Sequence, residues 1–376
     1  MKKINLKNAM QKYSIRDYKF SLVFLVIAIS TIGIFMVGSA APALMNRQMG
    51  GVIAGLIIMI VISLIDYRWI LGLYWIMYVV NIVMLVSVLL FGENINGATR
   101  WLDLGFVQFQ PIDVTKIIII LFYARFLTVR KEQINNKMTI IQGVALLVPT
   151  LVLVQRQPDL SNVITLIVLF ALLMYLGGLS YKFIGTVLAI VIPVAIILLT
   201  IAIQPNQQLL VGYQQTRILA WLDPDAFAMA EAYQQRNSIM AIGSGQLTGK
   251  GYNSDVTTSL KNGNFILEPQ TDFIFAIIGE ELGFVGCSVI IILLLLIVIA
   301  CILIGMKAKD VGGRIICGGV GGLIAVQSFI NIAVTTGMFP NTGISLPFIS
   351  YGLTSVISFY IGIGFVLNVG LQPRKH

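Results

Sequence analysis

Apolar runs of about 20 residues recur along this chain from Phe20 to Leu367, and a helix of about that length crosses the hydrocarbon core of a bilayer. Ten such spans fit best, near 20–41, 50–65, 69–91, 112–127, 138–154, 160–178, 183–204, 273–304, 312–338 and 345–370. Backbone polar groups in lipid must be satisfied within the spanning segment, so such a chain folds as a helical bundle. Composition agrees: 57% of the residues are hydrophobic and 11% charged, against roughly 25% charged in a soluble domain. The expected fold is an all-α polytopic membrane protein, one domain over residues 1–376. The run from 273 to 304 exceeds one span, so it should tilt, break or begin outside the hydrocarbon. Gly279, Gly283 and Gly286 mark places for a break.

The first span follows a basic segment, residues 1–19, that holds Lys2, Lys3, Lys7, Lys12, Arg16 and Lys19. Its length and the many spans behind it read as a retained signal anchor. With that segment in the cytoplasm, 17 Lys or Arg lie inside and seven outside (Arg47, Arg100, Arg156, Arg217, Arg236, Lys250, Lys261), while Lys116 lies within a span. The positive-inside rule favours this orientation, with both termini cytoplasmic. One large ordered extracellular loop, 205–271, then falls between spans 7 and 8. Membrane lipids with anionic headgroups account for the net charge of +9, and no nucleic acid is implied.

Several chemistries are excluded. The single histidine is His376, the last residue, so neither histidine acid–base catalysis nor a histidine metal site is available. Cys287, Cys301 and Cys317 fall in or beside apolar helices without paired ligand spacing, which suits packing. Neither a Walker-type loop nor a dinucleotide fingerprint occurs.

The informative polar residues crowd on the outer side. Glu268-Pro269-Gln270-Thr271-Asp272-Phe273 runs straight into a long apolar helix, and a carboxylate at a membrane boundary needs a partner or a use. Asp113 and Lys116, after Gln110-Pro111, share a helix face at i, i+3. Asp113 fits a helix-start acid as well as a site residue, whereas Lys116 inside a span wants a partner or an anionic ligand. Asp159 in Gln157-Pro158-Asp159 suits an N-cap. The large loop shows no evident secondary structure and carries Tyr213-Gln214-Gln215-Thr216-Arg217, Trp221-Leu222-Asp223-Pro224 and a glycine-rich stretch around Lys250. Glycines there would let backbone N–H groups approach an anion, and a flexible linker is the plainer alternative.

Taken in order, NGATRW, QPIDVTK, QPDLS, YQQTRI with WLDP, GSGQLTGKGY, EPQTDFIFAIIGEELGFVG and PNTGISLPFISYG span roughly residues 92–355. The set resembles the SEDS family, the FtsW/RodA peptidoglycan polymerases, with the 251–268 stretch closer to the RodA-like elongation type. The resemblance implies a membrane glycosyltransferase that joins lipid II, a disaccharide-peptide on undecaprenyl pyrophosphate, into glycan strands at the outer leaflet. It places the catalytic carboxylate on Asp272 and implies a class B penicillin-binding protein as partner.

That chemistry needs a base for the acceptor hydroxyl and cations opposite the leaving pyrophosphate. Arg100, Lys116, Arg217 and Lys250 are the candidate cations, Lys116 and Arg217 foremost, while Glu268 is a candidate to tune Asp272. Glu280 and Glu281 are expected to pair within the bundle or line the cavity. The resemblance leaves a divalent cation open and implies no other cofactor. This chain departs from the family pattern at three places: Gln270 stands where the family has His, Asp113 where it has Glu, and Leu353-Thr354 interrupts its Gly-Gly-Ser-Ser. A lipid II transporter and a silent scaffold for the transpeptidase are the competing readings. Polar residues confined to the outer half favour the polymerase.

Overall fold

The computed structural model describes residues 17–372, apart from 96–97, 104, 106–107, 184, 187–188, 190–192, 194–196, 198–199, 202, 205–211, 228–231, 255–258 and 264. Helix α1 (Phe20–Ala40) turns through a short 3₁₀ segment into α2 (Met45–Ser63). Then come α3 (Tyr67–Gly72), α4 (Tyr74–Phe91), α5 (Pro111–Val129), α6 (Lys137–Arg156) and α7 (Leu160–Gly177). The large loop contributes α8 (Gly212–Leu222) and α9 (Tyr233–Ser244), before α10 (Ile274–Met306), α11 (Val311–Thr335) and α12 (Leu353–Gly370).

Among the described residues, eight helices are long and apolar enough to cross a membrane. The 19-residue α5 is a further long helix; it carries Asp113, Lys116 and Arg125 and is buried nearly all round, which places it at the centre of the bundle. The expected span 183–204 lies largely outside the described residues. Polar side chains stitch the interior: Thr115 Oγ1 donates to Asn81 Oδ1 at 2.6 Å, and Asn81 Nδ2 donates to Thr150 Oγ1 at 3.3 Å, linking α5, α4 and α6.

The structure departs from the expected elements in four places. The 69–91 span is divided at Leu73 into α3 and α4. The 345–370 span becomes helical only at Leu353, because a turn occupies 346–352. The large loop is partly helical, through α8 and α9. The loop before α5 forms a three-stranded antiparallel sheet of β1 (Glu93–Ile95), β2 (Ala98–Asp103) and β3 (Gln108–Phe109). Strands this short leave no readable alternation in sequence.

The break in α10 falls at Gly283, whose φ of 63° and ψ of −162° leave the helical region. An unbroken helix would pair Phe284 N–H with the Glu280 carbonyl and Val285 N–H with that of Glu281. Instead Lys250 N and Gly251 N donate to the carbonyls of Glu280 and Glu281 at 2.9 and 3.0 Å, while Phe284 N and Val285 N donate to the carbonyls of Gln246 and Leu247 at 2.8 and 3.1 Å. The 246–251 segment thus replaces all four lost backbone partners, which unsatisfied groups at this depth require. Gly245 and Gly249 allow the approach: a Cβ at either would strike the carbonyls of Gly279 and Glu281. The glycines around Lys250, read as either an anion cradle or a flexible linker, here serve a backbone contact.

Residues 274–281 form a half-helix buried on every side, whereas 284–306 alternates buried and lipid-facing positions. At the end of the bundle away from this loop, Asp310 caps α11 through Gly313 N at 2.8 Å, accepts from Tyr67 Oη at 2.8 Å and pairs with Arg68 at 3.1 Å.

Candidate functional site

Asp272 lies just ahead of the buried half-helix, with Phe273 at the helix start. Three consecutive carbonyls hold it. Tyr351 N donates to Gln270 O at 2.8 Å, Ser350 Oγ to Thr271 O at 2.6 Å, and Asn331 Nδ2 to Asp272 O at 2.7 Å. Asn331 also donates to Ile344 O at 2.7 Å, and Ser350 Oγ accepts from Leu346 N at 2.7 Å. The approach to α10 is therefore clamped between α11 and the 339–352 turn. Gln270, the departure from His, contributes here through its backbone. Gly343, at φ 70°, lets the turn pass close to the carboxylate: a Cβ there would sit 3.3 Å from Asp272 Oδ2.

The Asp272 side chain keeps partial exposure. Burial is nevertheless the strongest influence on it and pushes its pKa from 3.8 to about 6. The Arg217 guanidinium works against that rise, Glu268 adds to it, and weaker contributions come from Arg100 (lowering) and Asp159 (raising). Asp272, Arg217, Glu268 and Arg100 thus fall within one electrostatic neighbourhood. Arg217 Nη1 reaches Asn341 O at 3.5 Å, and Trp221 Nε1 donates to Gly337 O at 3.0 Å, which seats α8 on the turn. Arg100, from β2, donates to Pro158 O at 2.5 Å and lies 3.8 Å from Asp159 Oδ2. Asp159 caps α7 by accepting from Asn162 N at 3.2 Å, the role its position suggests.

The other candidates stand elsewhere. Lys116 Nζ pairs with Asp113 Oδ1 at 3.1 Å, one turn inside α5 and sealed from solvent. A small void beside the pair is lined also by Gln327, Ser355 and Ser358. Lys250 is tied to Glu280 at 2.7 Å, at the far end of the half-helix from Asp272. Lys261 pairs with Glu281 at 2.6 Å, and Ser39 Oγ donates to the same Glu281 oxygen at 2.5 Å. Glu280 and Glu281 are therefore paired, as expected, with lysines from the large loop. Both cations also face the carbonyl end of the half-helix, where positive charge is favoured.

Sequence reasoning missed Asn331, although amides in an apolar helix, here Gln327 and Asn331, are the signal that marks such residues. Among the described residues no group of three or more His, Cys, Asp or Glu could hold a metal ion. A second feature is an apolar groove of about 390 Å³ between α2, β3, α5 and α12, with Arg47 on its wall. Leu353, a departure from the family pattern, lines this groove and packs into the space that Gly51 leaves on α2.

The cell cycle protein family FtsW/RodA/SpoVE matches residues 14–375. Over 365 residues the chain is 33% identical to the peptidoglycan glycosyltransferase MrdB of Escherichia coli K12, covering 97% of this chain and 96% of that protein. Its fold is similar to that of the rod shape determining protein RodA of Thermus thermophilus, with TM-score 0.69, 26% identity, and coverage of 96% of this chain and 98% of that one. It is similar also to a chain of a peptidoglycan synthase complex that coordinates polymerization and crosslinking, with TM-score 0.78, 28% identity, and coverage of 94% and 97%. The match over residues 14–375, with 33% identity to MrdB across nearly the whole of both chains, makes this chain a member of the FtsW/RodA/SpoVE family, a multi-pass protein of the bacterial cytoplasmic membrane.

Proposed function

We propose that this protein is a peptidoglycan glycosyltransferase that polymerises lipid II at the outer face of the membrane, with Asp272 as general base. The observation that carries the reading is the clamp on residues 270–272, which holds a half-buried carboxylate of raised pKa beside Arg217 and Arg100. The names of the relatives supply the reaction class.

In the reaction an acceptor hydroxyl gives its proton to Asp272, and its oxygen bonds the anomeric carbon of the donor sugar. The bond from that carbon to the pyrophosphate breaks, and its electron pair leaves on the phosphate oxygen. A base with a pKa of about 6 sits close to the operating pH, where base catalysis is efficient. Arg217 opposes the charge that grows on the pyrophosphate, with Arg100 in support. Glu268 keeps Asp272 basic. Asp113 with Lys116, and Lys250 with Glu280, serve as framework around the site. The groove beside Arg47 suits an apolar lipid tail with an anionic head. A class B penicillin-binding protein completes the assembly that crosslinks the product.

The test is the purified chain in liposomes given labelled lipid II, alone and with the class B partner. Glycan polymer is the expected product. Movement of lipid II across the bilayer without polymer contradicts the reading.

A further inference from the structure

Beside Asp272, the turn at Asn341–Gly343 has backbone carbonyls committed and two side-chain oxygens unpaired. Asn341 O accepts from Arg217, and Thr342 O accepts from Ser161 Oγ at 2.8 Å. Asn341 Oδ1 and Thr342 Oγ1, by contrast, are buried and have no hydrogen-bond partner among the described residues. A buried polar atom without a partner is costly, and native structures retain few of them without a reason. Two on adjacent residues, next to the glycine that lies against the Asp272 carboxylate, point to a ligand.

The chemistry of the two atoms narrows the class. The carbonyl oxygen of an asparagine side chain only accepts hydrogen bonds, while a threonine hydroxyl both donates and accepts. A pyrophosphate offers acceptors alone and could be met by Asn341 only with its amide turned over. A sugar carries hydroxyl donors and acceptors together and can satisfy both. Both residues keep partial exposure, which leaves room for a χ1 rotation to bring the covered atoms to an incoming ring. The turn flanks Asp272 Oδ2, so the sugar bound there is the one whose hydroxyl the carboxylate deprotonates.

We infer that Asn341 and Thr342 form the acceptor-sugar subsite, reading the hydroxyls of the glycan unit that attacks, an inference that rests on the polymerase reading above. Asp272 takes the proton from the attacking hydroxyl, and these two side chains hold neighbouring polar atoms of the same sugar. They are binding residues and take no part in the proton transfer.

Asn341→Leu and Thr342→Val replace each group by an apolar one of similar shape. In a ligand-binding role, either change leaves the unfolding temperature of the substrate-free protein equal or higher, because an unsatisfied polar atom has gone. It raises the apparent KM for lipid II by about three- to tenfold, the effect of losing one neutral hydrogen bond, with kcat little changed. Inhibition by added inorganic pyrophosphate stays the same. Unchanged KM in both variants overturns the subsite while the polymerase reading stands. A fall in unfolding temperature with a fall in kcat also overturns it, by assigning the atoms to structure. Equal weakening of pyrophosphate inhibition overturns the choice of a sugar. A parent protein that makes no polymer contradicts the reaction itself, and the subsite with it.

Discussion

Asn331, four residues before the end of α11, donates its side-chain amide to the backbone carbonyl of Asp272 at 2.7 Å. The same amide reaches Ile344 O at 2.7 Å, so one side chain joins the entry to α10 and the turn after α11. The position of the carboxylate is therefore set by a membrane helix far from it in sequence.

Replacing Asn331 by Leu leaves two carbonyls without their donor, at about 1–3 kcal/mol each. A displacement of the base on the order of 1 Å costs about 10²-fold in rate. Asn331→Leu should lower kcat for glycan polymerisation by about 10- to 100-fold, with a smaller change in KM and a lower unfolding temperature. Steady-state rates with labelled lipid II, read beside thermal unfolding, check this. Parent-like kcat would remove Asn331 from the positioning of the base.

Asp272 gives stability and activity opposite pH dependences. With its pKa at about 6 in the folded protein and 3.8 as the ordinary value, the folded state holds a proton that the unfolded chain has lost across that window. Stability from this group is complete below the lower value and lost as pH rises through the upper one. Catalysis needs the carboxylate, so activity should climb through a midpoint near 6 and level off above it. Asp272→Asn should unfold at a higher temperature than the parent above that midpoint and match it below pH 3.8. Unfolding scans and a pH–rate profile measure both.

Gly283 is held at φ 63° with Gly249 N and the Leu247 carbonyl against it. An alanine there meets strain of about 1–3 kcal/mol from the backbone alone, and its Cβ also collides with the 247–249 segment. Gly283→Ala should reduce the yield of folded protein and lower its unfolding temperature. By contrast Gly178→Ala, whose Cβ meets nothing nearby, should carry only the strain of its positive φ. Detergent-solubilised monodisperse yield and thermal unfolding distinguish the two.

The Lys261–Glu281 pair is buried at both ends. Removing one partner of such a pair costs about 3–5 kcal/mol, whereas replacing both by apolar groups is close to neutral. Lys261→Met should therefore destabilise the protein strongly, and Lys261→Met with Glu281→Met should recover most of the loss. Thermal unfolding of the two variants and the parent checks this; a double variant no better than the single one would assign the pair a further role.

What could be read in the sequence was local. The i, i+3 spacing of Asp113 and Lys116, the cap at Asp159 and the break among Gly279, Gly283 and Gly286 each depend on neighbours a few residues apart, and each is present. The place of Asp272 just ahead of α10 followed from one boundary between a polar loop and an apolar run. The rest depends on distant pairing. The glycines at 245 and 249 owe their place to carbonyls of 279 and 281, and a glycine-rich stretch reads alike whether it cradles an anion or a helix. Asn331 acts on backbone atoms 59 positions away. Lys250 read as a candidate partner of the pyrophosphate because Glu280 and its loop are brought together only by the broken helix.

The most direct test of the account is the initial rate of glycan polymer formation from labelled lipid II by Asp272→Asn and by the parent, at pH 7.5, in protein verified as folded by thermal unfolding. Loss of a general base predicts a fall of about 10²- to 10⁴-fold, with lipid II still bound. Polymer formed at the parent rate by folded Asp272→Asn would contradict the role of this carboxylate, and with it the reason given for its three backbone anchors.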